Sequence, residues 1–326
     1  MNPAFSVVFL TTLIGVGQGL FLALYTGEVY ALFKVLPAQD SQYFYAQGSL
    51  IALVFLALGL LASFFHLGHP ERAWRAAARW RTSWLSREVI VLPAFMGTVF
   101  LYGLAHYFGW NAPAIAVSEN LTLNLTVLIG LVGTVLCFAL FICTGMIYAC
   151  LKFLQEWHSP LTIVNFVLLG GASGFTFATA FSMAAAPGLV NFFGLWAIAI
   201  TMLALLSRSA SLIRNARLKS KSTLQTAIGV RHTKVVQKSM GFMGGSFNTR
   251  EFFHGLAPKL LRALKWIFLL LVFPLPVLFL TLGLGQASFV SLLLAFAFQY
   301  GGLLIERWFF FAQANHPQNL YYQTVG

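Results

Sequence analysis

The chain has 326 residues, of which 59% are hydrophobic and only 9% are charged, and its formal net charge is +12. Because soluble domains carry about 25% charged residues, this composition excludes a soluble protein and predicts a polytopic membrane protein. The three cysteines, Cys137, Cys143 and Cys150, lie in one apolar run, so the chain cannot supply the four ligands of an iron–sulfur cluster or a structural zinc site. The basic residues lie in loops between apolar runs, so we assign them to membrane topology rather than to nucleic-acid binding.

Eight apolar stretches of about twenty residues predict eight membrane-spanning helices. They lie near residues 7–33, 46–66, 88–108, 122–151, 161–185, 189–207, 264–284 and 287–309. The first stretch has no basic segment before it and is too long for a signal peptide, so we expect it to be retained. The predicted fold is an all-α bundle in a single membrane domain, with a long amphipathic sixth loop at 208–263 and a seventh span kinked by Pro274 and Pro276.

The first predicted span contains several small or polar residues. Gly15 and Gly19 are four residues apart, with Gln18 between them, and this spacing favours close helix packing. Glu28 lies near the far end of the span, where an acid belongs either to a proton path or to the membrane interface. We favour the interface for Glu28.

The basic residues are distributed very unevenly between the two sides of the predicted bundle. Eight spans place both termini on one side, together with the loops at 67–87, 152–160 and 208–263. That side holds nineteen flanking Lys and Arg residues, whereas the opposite side holds only Lys34. The positive-inside rule therefore predicts cytoplasmic termini, in a bacterial inner membrane. A basic face also suits an acidic partner, so the charge count has a second explanation.

The segment 64–88 is a polar island in an otherwise apolar chain. His66 ends the second predicted span and Glu88 begins the third, so both are expected at the cytoplasmic edge of the bilayer. Pro70 suits the first turn of an interfacial helix between them. Three arginines of that helix are expected to point to water or to a partner: Arg72, Arg75 and Arg79.

A histidine and a carboxylate at the membrane edge match the needs of a lipid-soluble quinone. Its two oxygens need hydrogen bonds, and its reduction takes up two protons, which groups titrating near neutral pH can carry. We predict that His66 holds one oxygen and that Glu88 exchanges protons with water, with Arg72 and Arg75 completing the quinone site. The competing interpretation is that His66 caps a helix and that an arginine only pairs with a carboxylate.

Haem is the alternative ligand for histidines near span ends. Three histidines lie there, His66, His106 and His158, and His106 is on the side opposite to the other two. The pair of His66 with His158, or with His69 replacing either, stays open, but interfacial histidines usually bind no metal. We predict a chain without haem and without a metal site.

These residues resemble a known family, the membrane-anchor subunits of dimethyl sulfoxide reductase-type molybdoenzymes. The likeness rests on the eight-span length, on the motif His66-Leu67-Gly68 with Pro70 and Arg72-Ala73 after it, and on the SWLSRE segment ending at Glu88. The polar sixth loop, including residues 248–252 (NTREF), adds to it. The resemblance covers essentially the whole chain, although its specific part is the segment 64–88.

The resemblance implies a three-subunit complex. In it, a catalytic subunit with a molybdenum bis-pterin cofactor is linked through a four-cluster iron–sulfur subunit to this anchor, which exchanges electrons with ubiquinone or menaquinone and binds no haem. It also implies that the positions of His66 and Glu88 take part in quinol binding. The namesake enzymes face the periplasm, whereas the charge count places this edge in the cytoplasm, as in the similar membrane subunit of the cytoplasmic-facing sulfite dehydrogenase. We therefore expect sulfite oxidation to sulfate with quinone reduction, ahead of a dimethyl sulfoxide or related oxide reductase that oxidises menaquinol.

The sixth loop is too long to be a simple connection. Basic and apolar residues are interleaved at 224–243 and 256–266, which predicts helices lying on the membrane or under a partner. We predict that the acidic iron–sulfur subunit docks there and on the segment 64–88, while anionic membrane lipids can use the same charges. The predicted docking residues are Arg72, Arg75, Arg79, Arg231, Lys234, Lys238 and Arg250.

Two other classes of function are compatible with eight spans. A secondary transporter is one, although the two halves show no matching pair of spans broken by Gly or Pro. A scaffold without redox function is the other, and it predicts that His66→Ala and Glu88→Gln leave electron transfer to quinone unchanged.

Overall fold

The structure is a computed structural model that describes residues 1–118, 121–219, 221–232, 234–236, 238 and 253–321. Within these residues, eight helical segments are long and apolar enough to cross a membrane, which confirms the predicted helical membrane bundle. In chain order the α-helices are α1 (Phe5–Leu32), α2 (Gln47–Phe64), α3 (Trp84–Tyr107), α4 (Leu125–Ala149), α5 (Pro160–Ala185), α6 (Val190–Ala216), α7 (Leu224–Ile228), α8 (Pro258–Val272), α9 (Pro274–Gln286) and α10 (Phe289–Ala312). A π-helix at Ser41–Ala46 precedes α2, and a 3-10 helix at Pro70–Arg79 lies between α2 and α3.

Helix α1 lies at the centre of the bundle and packs against α2, α4, α5 and α10. Its glycines allow this, because a Cβ placed on Gly19 would lie 2.2 Å from the carbonyl oxygen of Gly170 in α5. A Cβ on Gly174 would lie 2.1 Å from the carbonyl carbon of Gly19. The backbones of α1 and α5 therefore touch, as the Gly15/Gly19 spacing predicts.

An aromatic layer crosses the middle of the bundle. The Phe21 ring of α1 meets Phe95 edge-on at 5.4 Å and Tyr102 at 5.5 Å, and it lies against Gly133 of α4. Phe21, Phe95 and Tyr102 are fully buried. Such close-packed rings leave no room for water between the two ends of this part of the bundle.

We name the two ends of the bundle after an acidic residue that each one carries, the Glu88 edge and the Glu28 edge. The α-amine of Met1 donates hydrogen bonds to the carbonyls of Ala312 (3.3 Å) and Ala314 (3.0 Å). The start of α1 and the end of α10 therefore meet at the Glu88 edge, as an even number of spans requires.

Two spans differ from their predicted bounds, one because of a proline and the other because of a buried charge. The seventh span is broken at Phe273, between α8 and α9, since Pro274 cannot donate to the preceding turn. Helix α6 continues to Ala216, well beyond the predicted end at residue 207. This extension carries Arg208 into the bundle, where a carboxylate of α10 compensates its charge.

A β-hairpin, which the all-α prediction did not include, connects α3 with α4. Strand β1 (Pro113–Ser118) pairs antiparallel with β2 (Leu121–Asn124), with Ile115 opposite Leu123. The predicted fourth span began at residue 122, because the apolar residues of β2 are continuous with those of α4. The hairpin lies at the Glu28 edge.

The sixth loop departs from its predicted helices. The helix predicted at 224–243 ends at Ile228, because Gly229 adopts a left-handed φ of +73° that terminates it. The described residues that follow, up to Lys238, are not helical, and residues 239–243 of the predicted segment lie outside the described residues. The amphipathic segment predicted at 256–266 becomes helical at Pro258 and continues into the seventh span as α8.

Candidate functional site

The SWLSRE segment is the start of a helix. The Ser83 hydroxyl accepts a hydrogen bond from the Ser86 amide at 3.3 Å and so caps α3, which begins at Trp84. Glu88 therefore lies in the second turn of α3 rather than at its first residue. This places its side chain inside the end of the bundle.

Arg87 fastens the preceding loop to the same helix. Its guanidinium donates to the carbonyls of Trp80 (2.9 Å) and Arg81 (2.8 Å) and lies 4.1 Å from the centre of the Trp84 ring. Because its guanidinium contacts two carbonyls and an aromatic ring, Arg87 has a structural role. It fixes the end of the 64–88 segment next to Glu88.

The Glu88 carboxylate lines a small cavity, which we call the Glu88 chamber. Thr144 of α4 donates a short hydrogen bond to the carboxylate, and Gln18, Ser173 and Arg307 line the same chamber. The chamber offers only about 20 Å³ of space for water. A water molecule needs about 10–15 Å³ measured in this way, so the chamber suits water but not a ring.

His66 lies outside this chamber. It follows the end of α2, its ring is exposed, and its backbone amide donates to the Ser63 carbonyl at 3.4 Å. Among the described residues, no hydrogen bond or ion pair joins His66 to Glu88. Desolvation by its neighbours lowers the pKa of His66 below its ordinary 6.5, so the ring is neutral at neutral pH.

The predicted interfacial helix is present as the 3-10 helix that begins at Pro70. Arg72, Arg75 and Arg79 are exposed on it, and Arg72 lies 3.6 Å from Glu71. Because a 3-10 helix has three residues per turn, Arg72 and Arg75 share a face and Arg79 turns away from it. His69 also approaches Glu71, at 3.1 Å.

The docking residues predicted in the sixth loop do not share a helix face. Arg231, Lys234 and Lys238 are exposed on irregular chain. Arg250 lies outside the described residues. Together with the exposed arginines of the 3-10 helix, the three exposed residues leave the Glu88 edge strongly basic.

A buried ion cluster next to the Glu88 chamber was not foreseen from the sequence. Glu306 of α10 lies 2.8 Å from the Nε of Arg208 and 3.9 Å from the Nε of Arg307. The Arg307 guanidinium also lies 3.8 Å from the centre of the Phe166 ring. All three charged residues are at least 96% buried. Two arginines therefore share one carboxylate beside the chamber, and only Arg307 of the three lines it.

A second ionisable pair lies at the opposite end of the bundle. Tyr102 donates a 2.7 Å hydrogen bond to Glu28, whose other oxygen lies 3.4 Å from the Nε2 of His106. The Tyr45 ring, held by the π-helix, stacks on His106 with centroids 4.6 Å apart. Glu28 therefore sits inside the protein rather than at a water-exposed interface. It pairs with a histidine that the sequence placed on the same side without linking the two.

The sequence contains a signal for the buried ion cluster, but that signal is ambiguous. A charged pair such as Glu306-Arg307 inside an apolar run is itself a marker of buried pairing. The charge count from the sequence places Arg307 among the basic residues that flank the spans.

His158 was a candidate for haem binding. Its Nδ1 lies 2.5 Å from the Ala149 carbonyl oxygen, so its ring contacts the end of α4.

Comparisons with known proteins agree with the motif-based resemblance. The family model described as DMSO reductase anchor subunit (DmsC) matches residues 1–322. A sulfite dehydrogenase subunit from Allochromatium vinosum is 61% identical over 325 residues, and the match covers 100% of both chains.

Proposed function

Because the chain belongs to the DMSO reductase anchor subunit family, we propose that it is the quinone-reactive membrane subunit of a three-subunit molybdopterin oxidoreductase. The family anchors catalytic and electron-transfer partners to the membrane, so an anchoring role needs no further argument. The quinone reaction and the substrate are the proposed parts. The family assignment favours this function over the secondary transporter.

We assign sulfite oxidation to the complex on two grounds. The full-length relative at 61% identity carries the name of a sulfite dehydrogenase subunit. The charge count supports a cytoplasmic Glu88 edge, because seventeen of the nineteen basic residues remain on that side after the buried Arg208 and Arg307 are left out. Sulfite and water yield sulfate, two protons and two electrons, and the quinone takes up two of each.

The Glu88 chamber is the observation that carries the quinone proposal. A ring needs a cavity of roughly 150 Å³, so a quinone ring stays outside the chamber, on the side of the exposed His66. The neutral His66 ring donates a hydrogen bond to one quinone oxygen. Glu88 passes a proton from the chamber water to the quinone, because it is the one carboxylate that lines that chamber among the described residues.

Arg72 and Arg75 contribute positive charge beside this site. Both are exposed on the 3-10 helix that follows His66 by four residues. From this exposed position their positive charges attract the iron–sulfur subunit and favour negative charge on the quinone oxygens. Their effect is electrostatic and depends on ionic strength.

The test is electron transfer from sulfite to quinone by the complex purified in mild detergent. His66→Ala and Glu88→Gln are expected to lower the rate about 100-fold, the usual contribution of a positioned proton donor or acceptor. His69→Ala and Glu71→Gln are matched controls, because these two exposed residues of the same segment pair with each other. Normal rates of electron transfer in both site variants would refute the quinone role and support a scaffold without redox function.

The alternative is an anchor of a dimethyl sulfoxide or related oxide reductase, which oxidises menaquinol with its catalytic subunit on the periplasmic side. Labelling of single cysteines placed between His69 and Arg87 decides between the two. Labelling from the cytoplasm supports sulfite oxidation, whereas labelling from the periplasm refutes it and preserves the anchor.

A further inference from the structure

A large polar cleft opens at the Glu88 edge, away from the chamber and from the 64–88 segment. Its volume is about 520 Å³, and three parts of the chain line it: the loop after α4, the end of α6 and the segment after α10. Three lysines face it, Lys152, Lys219 and Lys221, and we call it the basic cleft. No step of the proposed quinone reaction uses these residues.

Hydrogen bonds join two walls of the basic cleft, the loop after α4 and the end of α6. Arg214 of α6 donates to the carbonyls of Gln155 (3.1 Å) and His158 (3.0 Å). Asn215 donates to the Glu156 carbonyl at 3.3 Å. The cleft is therefore built into the fold, because the loop after α4 is fastened to the end of α6.

The charge of the cleft selects an anion. Glu156 is the one carboxylate among the described lining residues, and its Oε1 accepts a hydrogen bond from Asn315 at 3.3 Å. Three exposed ammonium groups therefore face a single carboxylate that already has a partner. Ammonium groups on flexible stems bind carboxylates and phosphates as point charges.

We propose that the basic cleft receives an acidic segment of the extramembrane partner that docks on the Glu88 edge. The inference rests on the proposed function in one respect, the choice of this edge for docking. The side-chain amides of Gln155 and Asn315 line the cleft and supply donors and acceptors suited to a peptide backbone. The lysines pair with its carboxylates.

A peptide fits the position of the cleft better than a phospholipid does. The lining residues lie beyond the spans or in the last turn of α6, at Asn215. An acyl chain attached to a headgroup here would have to leave the hydrocarbon region. A partner subunit standing on this edge meets the cleft directly.

The first experiment measures how much salt the purified complex tolerates before its extramembrane subunits dissociate. The variant Lys152→Gln/Lys219→Gln/Lys221→Gln is expected to bind them about tenfold more weakly, since each exposed ion pair contributes little alone. The matched control is Lys152→Arg/Lys219→Arg/Lys221→Arg, which keeps the three positive charges at the same positions of the cleft and is expected to keep the salt tolerance. Equal salt tolerance of the two triple variants overturns the proposal.

The second experiment identifies the occupant by a photo-crosslinking amino acid in place of Phe153, an exposed lining residue. The expected product joins this position to a stretch of the partner rich in Asp and Glu. Tyr43, exposed at the Glu28 edge, is the control position. A crosslink to phospholipid, or to a partner stretch without acidic residues, overturns the proposal. His66→Ala and Glu88→Gln leave this crosslink in place, so loss of the quinone function and loss of the docking site give different results.

Discussion

Replacing Gly174 with alanine forces two helix backbones apart at the centre of the bundle. The new Cβ would lie 2.1 Å from the Gly19 carbonyl carbon and 2.2 Å from the Leu20 amide nitrogen. Carbon atoms in contact are about 3.5 Å apart, so α1 and α5 have to separate by roughly 1.4 Å. No rotamer change relieves this contact, because both partners are backbone atoms.

The cost of this separation follows from the packing. Overpacking usually lowers stability by about 1–3 kcal/mol, and a contact between backbones belongs at the upper end of that range. The higher helix propensity of alanine offsets about 1 kcal/mol. A net loss of about 2 kcal/mol lowers the apparent melting temperature by about 5 °C. Gly15 and Gly170 belong to the same contact between α1 and α5, and both line the Glu88 chamber, so the chamber also widens.

The assay is thermal unfolding of the purified complex, followed by the fraction recovered on size-exclusion chromatography, together with sulfite-linked quinone reduction. Gly171→Ala is the matched control, three residues away on α5, where a Cβ meets only Ile200 Cγ2 at an ordinary 3.6 Å. We expect the control to keep both stability and rate, whereas Gly174→Ala loses both. Equal melting temperatures for the two variants would refute the close contact of α1 with α5.

Three further outcomes follow from the buried groups and from His66. Glu306→Gln leaves Arg208 and Arg307 buried without their shared carboxylate and is expected to lower stability by about 3–5 kcal/mol in the same melting assay, and replacing all three residues with leucine should recover most of the loss. Tyr102→Phe removes the hydrogen bond to Glu28 and should cost about 2 kcal/mol, while the rate of quinone reduction stays unchanged because the Glu28 edge is remote from the chamber. Since desolvation lowers the pKa of His66, its ring is a neutral hydrogen-bond donor at neutral pH. The neutral donor in His66→Asn is therefore expected to retain more of the rate of quinone reduction than His66→Ala does.

The features that the sequence predicted correctly are those that depend on continuous apolar stretches and on the spacing of nearby residues. Each span is an apolar run of about twenty residues, and the Gly15/Gly19 spacing indicated the close approach that α1 makes to α5. The end of the second span and the start of the third put His66 and Glu88 at one edge. What the residues did not reveal was the depth of Glu88, because the Ser83 cap starts α3 four residues before it.

Pairings between distant helices were beyond the reach of the sequence. Arg208 and Arg307 were assigned to the loops, since a charge near a span end is usually solvated. Their shared carboxylate, Glu306, becomes visible only in the folded bundle, where the three side chains meet. Likewise, Glu28 and His106 lie 78 positions apart in the chain, and only the folded bundle brings their side chains to 3.4 Å.

The aromatic layer around Phe21 has a consequence for energy conservation. The layer fills the space between α1, α3 and α4, so under the proposed function we expect the quinone to draw its protons from the face on which sulfite oxidation releases them. Two protons are released and two are taken up on one side, and no charge crosses the bilayer in the reaction. The complex then adds nothing to the membrane potential by itself, and its contribution arises only when another enzyme reoxidises the quinol.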